Sequence, residues 1–302
     1  MEKVEFKFKL SEEQQKLKEE RFHSLIKNKY VKKLLKDYAI DEQSVYNNTG
    51  RISEWLVQVE KCRLCTGLEC CTQPQSGIVL DLSYDHGFVN EIKKCNFAKA
   101  EEKALAHVKN YKRHDLSDEL LKVNITNIDL SDEPKAYKSN VLKVLEFLEK
   151  PEKGLFLYGA PGVGKTYLAA CITNKFAKDN KSVAFIHMPT FMSDIKLMLN
   201  DKYLMDKTLN IVKNVDVLVM DDIGGESVTS WGKDEIILPI LNERMEKKRL
   251  CVFTSNYDFE KIQEHYTYTS RGNMETISAL RLVERMKAVS IPLEIRSSNR
   301  RM

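Results

Sequence analysis

Glycine, lysine and threonine occur near the middle of the sequence at a spacing that suits the binding of phosphate groups. The octapeptide GAPGVGKT matches the pattern G-x-x-x-x-G-K-[ST] and stands between an apolar run, LFLY, and a helical run, YLAACITNKFA. Backbone amides around the glycines and the positive end of the new helix attract phosphate oxygens, the lysine neutralises the outer phosphates, and the hydroxyl binds Mg²⁺. A glycine-rich turn with an exposed lysine would not explain these flanks. The predicted binding residues are Gly159, Ala160, Pro161, Gly162, Val163, Gly164, Lys165, Thr166 and Tyr167.

Two adjacent carboxylates, Asp221 and Asp222, directly follow the apolar run VLVM. Carboxyl ends of parallel strands line the crevice in which such sheets bind ligands. We therefore expect Asp221 to hold Mg²⁺ with Thr166, and Asp222 to orient or deprotonate the water that attacks the triphosphate of ATP. A surface turn is the alternative interpretation, and the four apolar residues before the pair make it the weaker one.

A third apolar run, VFTSN, ends at Asn256. If this run is a neighbouring parallel strand, its end lies at the same edge of the sheet as the two aspartates. Asn256 would then hydrogen-bond the γ-phosphate or the attacking water. The alternative is an asparagine that caps the helix after the strand.

Five of the seven cysteines fall between residues 62 and 95. In a reducing compartment such clustering favours a metal over disulfides, and four thiolates suit a tetrahedral, structural Zn²⁺. A short segment with few apolar residues also needs such a cross-link to fold. The predicted zinc ligands are Cys62, Cys65, Cys71 and Cys95, with Cys70 as a substitute for Cys71 and His86 as a substitute for one cysteine.

The overall composition limits the class of protein. The chain has 302 residues, 42% of them hydrophobic, with only 12 Gly and 7 Pro, which excludes collagen and extended disorder. No apolar run approaches the roughly 18 residues that span a bilayer, and the start lacks a signal-type apolar core, so we expect a cytoplasmic protein without a membrane segment. The net charge of +4 is too small to indicate nucleic-acid binding, so any such site must be a local patch.

The second half of the chain alternates helical stretches with short apolar runs, which predicts βαβ units and a mainly parallel sheet covered on both faces. The expected strands are 154–159, 181–188, 215–222 and 250–256. A short strand is also expected near 78–82, among the cysteines. The charged stretch KAEEKALAHVKNYKRHDLSDELLK separates the two parts of the chain. We expect a zinc-binding N-terminal domain over 1–110, a linker and the start of the next region over 111–133, and the nucleotide-binding domain over 134–302.

The motifs GAPGVGKT, VLVMDDIGGESVTSW, FTSN and ALRLVERM, in this order, resemble those of the AAA+ ATPases of the bacterial helicase-loader group. With the cysteine-rich first segment, the chain is most similar to the DnaI-type primosomal helicase loaders, and the resemblance covers almost the whole sequence. It implies an α/β fold: an AAA+ P-loop ATPase core, with a parallel sheet flanked by helices, and a small helical zinc-binding domain that contacts the helicase.

The resemblance also implies roles for single residues. Lys165 and Thr166 match the Walker A motif, Asp221 and Asp222 match Walker B, and Asn256 matches the polar sensor. Arg285 matches the arginine finger that reaches the ATP of a neighbouring subunit. Arg281 is the second choice for the finger, and a surface salt bridge is the alternative for either arginine.

Two departures from the family pattern change the expected activity. Many AAA+ proteins have Asp-Glu where this chain has Asp221-Asp222, and the shorter carboxylate predicts slow hydrolysis. The residues that follow Arg285 are too few for the helical lid that commonly carries a second sensor. The basic residues that remain as candidates for that role or for DNA binding are Arg296, Arg300 and Arg301.

The family resemblance leads to one main hypothesis and two alternatives. The main one is an ATPase that loads the replicative hexameric DNA helicase onto single-stranded DNA during primosome assembly, with other primosome proteins as further partners and with self-association through ATP. Its hydrolysis would be slow and modulated by DNA. The first alternative is an IstB-like transposition helper, against which the cysteine module argues. The second is an adaptor that binds nucleotide and helicase without turnover.

Overall fold

The computed structural model of the protein describes residues 11–270 and 272–298. It divides into two compact units, with the boundary between Lys103 and Ala104. Arg300 and Arg301, and the first ten residues used in the expectation about compartment, lie outside the described residues.

The first unit packs four helices and a β-hairpin around a small apolar core. Ser11 and Gln14 form the capping box that starts the first helix, and Val31, Ile52 and Leu82 are fully or almost fully buried in the core. The elements are α1 (Glu12–Lys27), α2 (Lys29–Tyr38), α3 (Glu42–Asn47), α4 (Thr49–Cys62), β1 (Ile78–Tyr84), β2 (Phe88–Lys94) and α5 (Asn96–Leu105), the last of which crosses the boundary. The strand expected near 78–82 is therefore present, and it pairs antiparallel with β2.

The second unit is built on a six-stranded sheet in which every pairing is parallel. Its strands are β3 (Tyr111–His114), β4 (Gly154–Tyr158), β5 (Val183–His187), β6 (Val217–Asp221), β7 (Leu250–Ser255) and β8 (Ser290–Glu294). Their order across the sheet is β3-β5-β6-β7-β4-β8. The four strands expected from continuous apolar runs are β4 to β7, and they occupy the interior of the sheet.

Helices cover both faces of this sheet. They are α6 (Asp118–Lys122), α7 (Lys135–Glu149), α8 (Lys165–Lys178), α9 (Met188–Leu197), α10 (Lys202–Asn214), α11 (Leu238–Glu246), α12 (Phe259–Thr267) and α13 (Thr276–Val289), with a π-helical segment at Gly232–Ile237. Alternate strand residues enter two separate apolar cores: Leu218 and Met220 face one, and Val217 and Val219 face the other. Burial of both faces explains why these strands read as continuous apolar runs.

The edges of the sheet differ from the sequence expectation. Residues 111–114, which we expected in the linker and the start of the next region, form the edge strand β3 beside β5. Ser290–Glu294 forms the opposite edge beside β4, so the residues after Arg285 complete the sheet. The division between the two units also falls before residue 110, at Lys103 and Ala104.

A buried arginine ties α11 to the strands that carry the site. Arg244 is 0% exposed, and its guanidinium donates to the backbone carbonyls of Val212, Val215 and Leu250 at 2.9, 2.9 and 2.6 Å and to Sγ of Cys251 at 3.1 Å. Burial lowers the pKa of this guanidinium. The side chain therefore satisfies carbonyls at the end of α10 and the start of β7.

Within the described ranges, every helix is too short or too polar to cross a membrane.

Candidate functional site

The glycine-rich octapeptide forms the turn between β4 and α8, as the sequence predicts. Gly159 has φ of 150°, and a Cβ built there would lie 2.4 Å from the carbonyl oxygen of Ile295, so only glycine fits. Gly164 has φ of 96° and is the N-cap of α8. The positive end of α8 therefore starts at the turn, where it can attract an anion.

Lys165 is the first residue of α8 and is 8% exposed. Its Nζ donates to the carbonyls of Gly159 and Ala160 at 2.8 and 2.9 Å and to Oδ1 of Asn256 at 2.8 Å. The amine is thus held across the mouth of the turn, between β4 and the end of β7. A bound phosphate would take the place of some of these neutral acceptors.

Asp221 ends β6 and is 5% exposed. Its Oδ1 accepts hydrogen bonds from Oγ1 of Thr166 at 2.9 Å and from Oγ1 of Thr254 at 2.6 Å. Burial raises the pKa of this carboxyl group, while the two hydroxyls act in the opposite direction. The structure therefore brings together the two residues predicted to hold Mg²⁺.

Asp222 has φ of 56°, a conformation that is uncommon outside glycine and that often marks functional sites. Its backbone N–H donates to Oγ1 of Thr254 at 2.8 Å, and its Oδ1 accepts from Nδ2 of Asn256 at 3.1 Å. Asn256 also accepts from Lys165, so it links the lysine to the second aspartate. Asp222 and Asn256 therefore lie side by side at the mouth of the cavity, where both can contact a water on the phosphate side.

A cavity of about 430 Å³ opens over these groups, which is a volume typical of small-ligand sites. It is lined by Leu120, Pro161, Gly162, Gly164, Lys165, Thr166, Tyr167, His187, Asp221, Asp222, Thr254 and Asn256. The sequence-predicted groups of the turn, the aspartates and Asn256 thus meet in one cavity.

Three lining residues were not anticipated. Thr254 and His187 both flank Asp221 across the sheet, since β5 pairs His187 with Asp221 and β7 pairs Phe253 with Met220. The sequence did contain a signal for both residues, since each lies near the end of an expected strand. Leu120 comes from α6, a helix of five residues with no distinctive motif, and no sequence pattern indicated it.

The two candidates for the arginine finger, Arg285 and Arg281, lie outside the cavity of their own chain. Arg281 and Arg285 are on the exposed face of α13, and Nε of Arg285 donates to Oδ1 of Asn242 on α11 at 2.8 Å. Neither belongs to the residues that line the cavity of the same chain. Arg296 is exposed and pairs with Glu294 at 2.6 Å.

In the first unit, the five clustered cysteines are free thiols around one loop and the start of α5. The hydroxyl and the backbone N–H of Thr66 lower the pKa of the Cys70 thiol to about 7, and the backbone N–H of Gly77 lowers that of Cys71. Cys62 accepts a bond from Nε2 of Gln73 at 3.1 Å. In the described parts of the chain, however, no three His, Cys, Asp or Glu side chains are close enough together to hold a metal ion. The expected zinc centre is therefore not assembled among these residues, and the lowered thiol pKa values belong to Cys70 and Cys71.

The parallel sheet, the glycine-rich turn and the acidic strand end define a P-loop nucleotide-binding protein. Residues 93–298 match the family described as IstB-like ATP binding protein, and the chain belongs to that family. Along its length it is similar to the replicative helicase loader DnaI of Bacillus subtilis, with 30% identity over 95% of this chain and 94% of that protein. The resemblance to DnaI-type AAA+ loaders is thus confirmed.

Two solved structures have a similar fold over about two thirds of the chain. A crystal structure of DnaI has 33% identity and a TM-score of 0.54, and it covers 62% of this chain and 98% of its own. A putative primosome component from Streptococcus pyogenes serotype M3 has 27% identity and a TM-score of 0.52, with 65% of this chain and 97% of its own covered. The expected AAA+ core is therefore confirmed.

Proposed function

We propose that this protein is an ATP-dependent loader that places the replicative hexameric DNA helicase onto single-stranded DNA during primosome assembly in the cytoplasm. The observation that carries the proposal is the cavity in which Lys165, Thr166, Asp221 and Asn256 meet, on a chain that matches a helicase loader over 95% of its length. The match includes the first unit, so the similarity is not limited to the nucleotide-binding fold.

The cavity binds ATP by its phosphates. The amides of the turn and the ammonium of Lys165 contact the phosphate oxygens, while Thr166 and Asp221 hold Mg²⁺, which neutralises charge on the phosphates when bound. Asp222 and Asn256 orient the attacking water, and Asp222 accepts its proton. Because the aspartate side chain is shorter than that of glutamate, hydrolysis is slow. Single-stranded DNA modulates the rate.

Steady-state ATPase assays on the full chain test this chemistry. We expect Asp222→Asn to bind ATP and lose turnover, with and without single-stranded DNA, and Lys165→Ala to lose ATP binding itself. Lys175→Ala is the matched control for the lysine, since Lys175 lies on α8 and pairs with Asp179 at the surface. If Lys165→Ala holds Mg-ATP as tightly as the wild type, the cavity is not the ATP site.

Arg285 completes the site of a neighbouring copy. In support, α13 presents Arg281 and Arg285 beside the apolar residues Ile277 and Leu280, which are 77% and 44% exposed. A surface that combines apolar and cationic side chains is suited to burial against another protein. ATP between two copies then favours their association. Arg285→Ala lowers turnover by about 10³-fold or more if it acts as the finger.

The first unit grips the helicase, and four of its five clustered thiols bind Zn²⁺. Cys62, Cys65, Cys71 and Cys95 remain the proposed ligands, with Cys70 or His86 as a substitute. Support comes from the donor chemistry alone: five thiols lie between residues 62 and 95, and the lowered pKa of Cys71 favours the thiolate that zinc binds. Elemental analysis of freshly purified protein tests it: about one zinc per chain is expected, and a content near zero refutes it.

Capture experiments separate loading from the alternatives. We expect the full chain to retain the cognate hexameric helicase on a column in the presence of ATP, and chelation to weaken the capture. Stimulation of a transposase on duplex DNA, without helicase binding, would instead establish an IstB-like helper. Helicase binding by a wild-type chain without any turnover would establish the adaptor.

A further inference from the structure

A lysine without any exposed side-chain surface lies in the helical segment that follows the acidic loop. This residue is Lys233, in the π-helical segment Gly232–Ile237, and the loop before the segment is the one that follows Asp222. Nζ of Lys233 is 2.7 Å from Oε2 of Glu275 and 3.3 Å from the backbone carbonyl of Tyr266, to which it donates. Burial of an ammonium costs several kcal/mol, and an apolar side chain of similar volume often stabilises a core equally well. We therefore explain the buried lysine by the specific pairing with Glu275 that it imposes, and not by a contribution to the stability of the core.

Glu275 stands at the N-cap of α13 but does not cap the helix with its side chain. Its carboxylate instead accepts from Lys233 and from the hydroxyl of Ser230, and the Lys233 contact, followed by that of Ser230, lowers the pKa of Glu275. One turn further on, Ser278 donates to Asp234. Side chains from 230–234 thus fix the first turn of α13.

Hydrogen bonds also connect Lys233 to the loop that follows Asp222 in the nucleotide site. The N–H of Gly225 donates to the carbonyl of Asp222 at 2.9 Å, and that of Gly224 donates to Oε2 of Glu226 at 2.9 Å. The hydroxyl of Tyr266 donates to the same Glu226, and the carbonyl of Tyr266 accepts from Lys233. A continuous set of hydrogen bonds therefore joins the loop after Asp222 to the start of α13.

Arg285 lies about 15 Å along α13 from Glu275, as the rise per helical residue requires. It is attached to Asn242 of α11, and α11 continues directly from the π-helical segment that contains Lys233. The two ends of α13 are thus held against one continuous helical stretch. A π-helical segment inside a helix is itself common at functional sites.

We infer that Lys233 is a positioning residue for Arg285: its buried pair with Glu275 sets the placement of α13, so that the arginine reaches the nucleotide of a neighbouring copy. The inference rests on the proposed role of Arg285. It assigns Lys233 no contact with ATP. Loss of the pair displaces the finger while the cavity of the same chain keeps its residues.

Mixing two inactive variants of the full chain tests the inference. Arg285→Ala supplies an intact cavity without a finger, and Asp222→Asn supplies a finger without turnover, so the mixture regains ATPase activity. Lys233→Met is then added to the Asp222→Asn chain. We expect the regained kcat to fall by about 10- to 100-fold, the effect of a small misplacement of a catalytic group, with an unchanged KM for ATP. Lys287→Met is the matched control, since Lys287 is a lysine of α13, the helix that carries Arg285, and forms an exposed pair with Glu284.

The outcomes are distinguishable. If the mixture of the two parent variants regains no activity, the proposed role of Arg285 fails. If it regains activity and Lys233→Met leaves that activity unchanged, the positioning role of Lys233 is refuted. Glu275→Gln, which keeps the side-chain volume, is measured in parallel and should act in the same direction. If Lys233→Met and Glu275→Gln each abolish ATP binding by the chain that carries them, the pair of Lys233 and Glu275 supports the whole fold. The inference is refuted in that case as well.

Discussion

The sharpest prediction concerns Thr254, whose single hydroxyl serves both aspartates. Its Oγ1 donates to Asp221 at 2.6 Å and accepts from the N–H of Asp222 at 2.8 Å, and the residue is 1% exposed. Thr254→Val keeps the shape and removes both bonds. A hydrogen bond to a charged group contributes about 1.5–3 kcal/mol, and a donor left without an acceptor costs about 1–3 kcal/mol. Because the Asp222 N–H is only partly buried, we take the lower end of the second range.

We therefore expect Thr254→Val to lower the free energy of unfolding by about 2.5–4 kcal/mol. The Thr254 hydroxyl also holds the Asp221 carboxylate in place, so we expect its loss to weaken Mg²⁺ binding. Urea unfolding measures the first effect, and calorimetric titration of ATP with and without Mg²⁺ measures the second. The affinity for Mg-ATP should fall more than the affinity for ATP alone.

Thr173→Val is the matched control, because Thr173 is equally buried and its hydroxyl donates to the carbonyl of Ala169 within α8 at 2.7 Å and also bonds Tyr111, so that it contacts neither aspartate. It should cost about 0.5–1.5 kcal/mol and leave Mg²⁺ dependence unchanged. Equal effects of the two substitutions on stability, or an unaltered Mg²⁺ dependence for Thr254→Val, would refute the assigned role of the hydroxyl.

Three further predictions concern Arg244, Gly159 and Cys70, which lie outside the contacts of Thr254. Arg244→Met should lower the free energy of unfolding by about 3 kcal/mol or more, since it leaves buried carbonyls without a donor; urea unfolding that moves by less contradicts this. Gly159→Ala should abolish ATP binding, because its Cβ would lie 2.4 Å from the carbonyl of Ile295; unchanged calorimetric binding contradicts it. In metal-free protein, alkylation of Cys70 should reach half its maximal rate near pH 7, below the usual value of about 8.5, because a lowered pKa keeps the thiolate at lower pH. Cys70→Ser should remove this reaction, and a midpoint near the usual value counts against the lowered pKa.

The sequence predicted the interior of the sheet because parallel strands buried on both faces must be apolar throughout. The segments 154–158 and 217–221 have that composition, and each is followed by residues that the site uses. Lys165, Asp221 and Asn256 could be placed at one edge of the sheet without knowledge of the strand order, because the carboxyl ends of parallel strands share one edge.

The edge strands could not be predicted in the same way. Tyr111–His114 contains three polar residues in four, and Ser290–Glu294 contains a proline, which sheets accept at an edge. Neither has a local signal, because each is held by a partner distant in sequence. Thr254 was missed for a related reason: its importance depends on lying beside Asp221 in a neighbouring strand, which only the three-dimensional pairing shows.

The position of β4 has a consequence for the order of events during synthesis. Both of its neighbours, β7 and β8, come later in the chain, and Ile295 fits against Gly159. A growing polypeptide on the ribosome therefore cannot complete the pocket until its last strand has emerged. Until then β4 exposes an unpaired apolar edge, which is the kind of surface that recruits other unfinished chains or a chaperone. Translation that stops before Ser290 should accordingly yield aggregates rather than a weak binder of ATP.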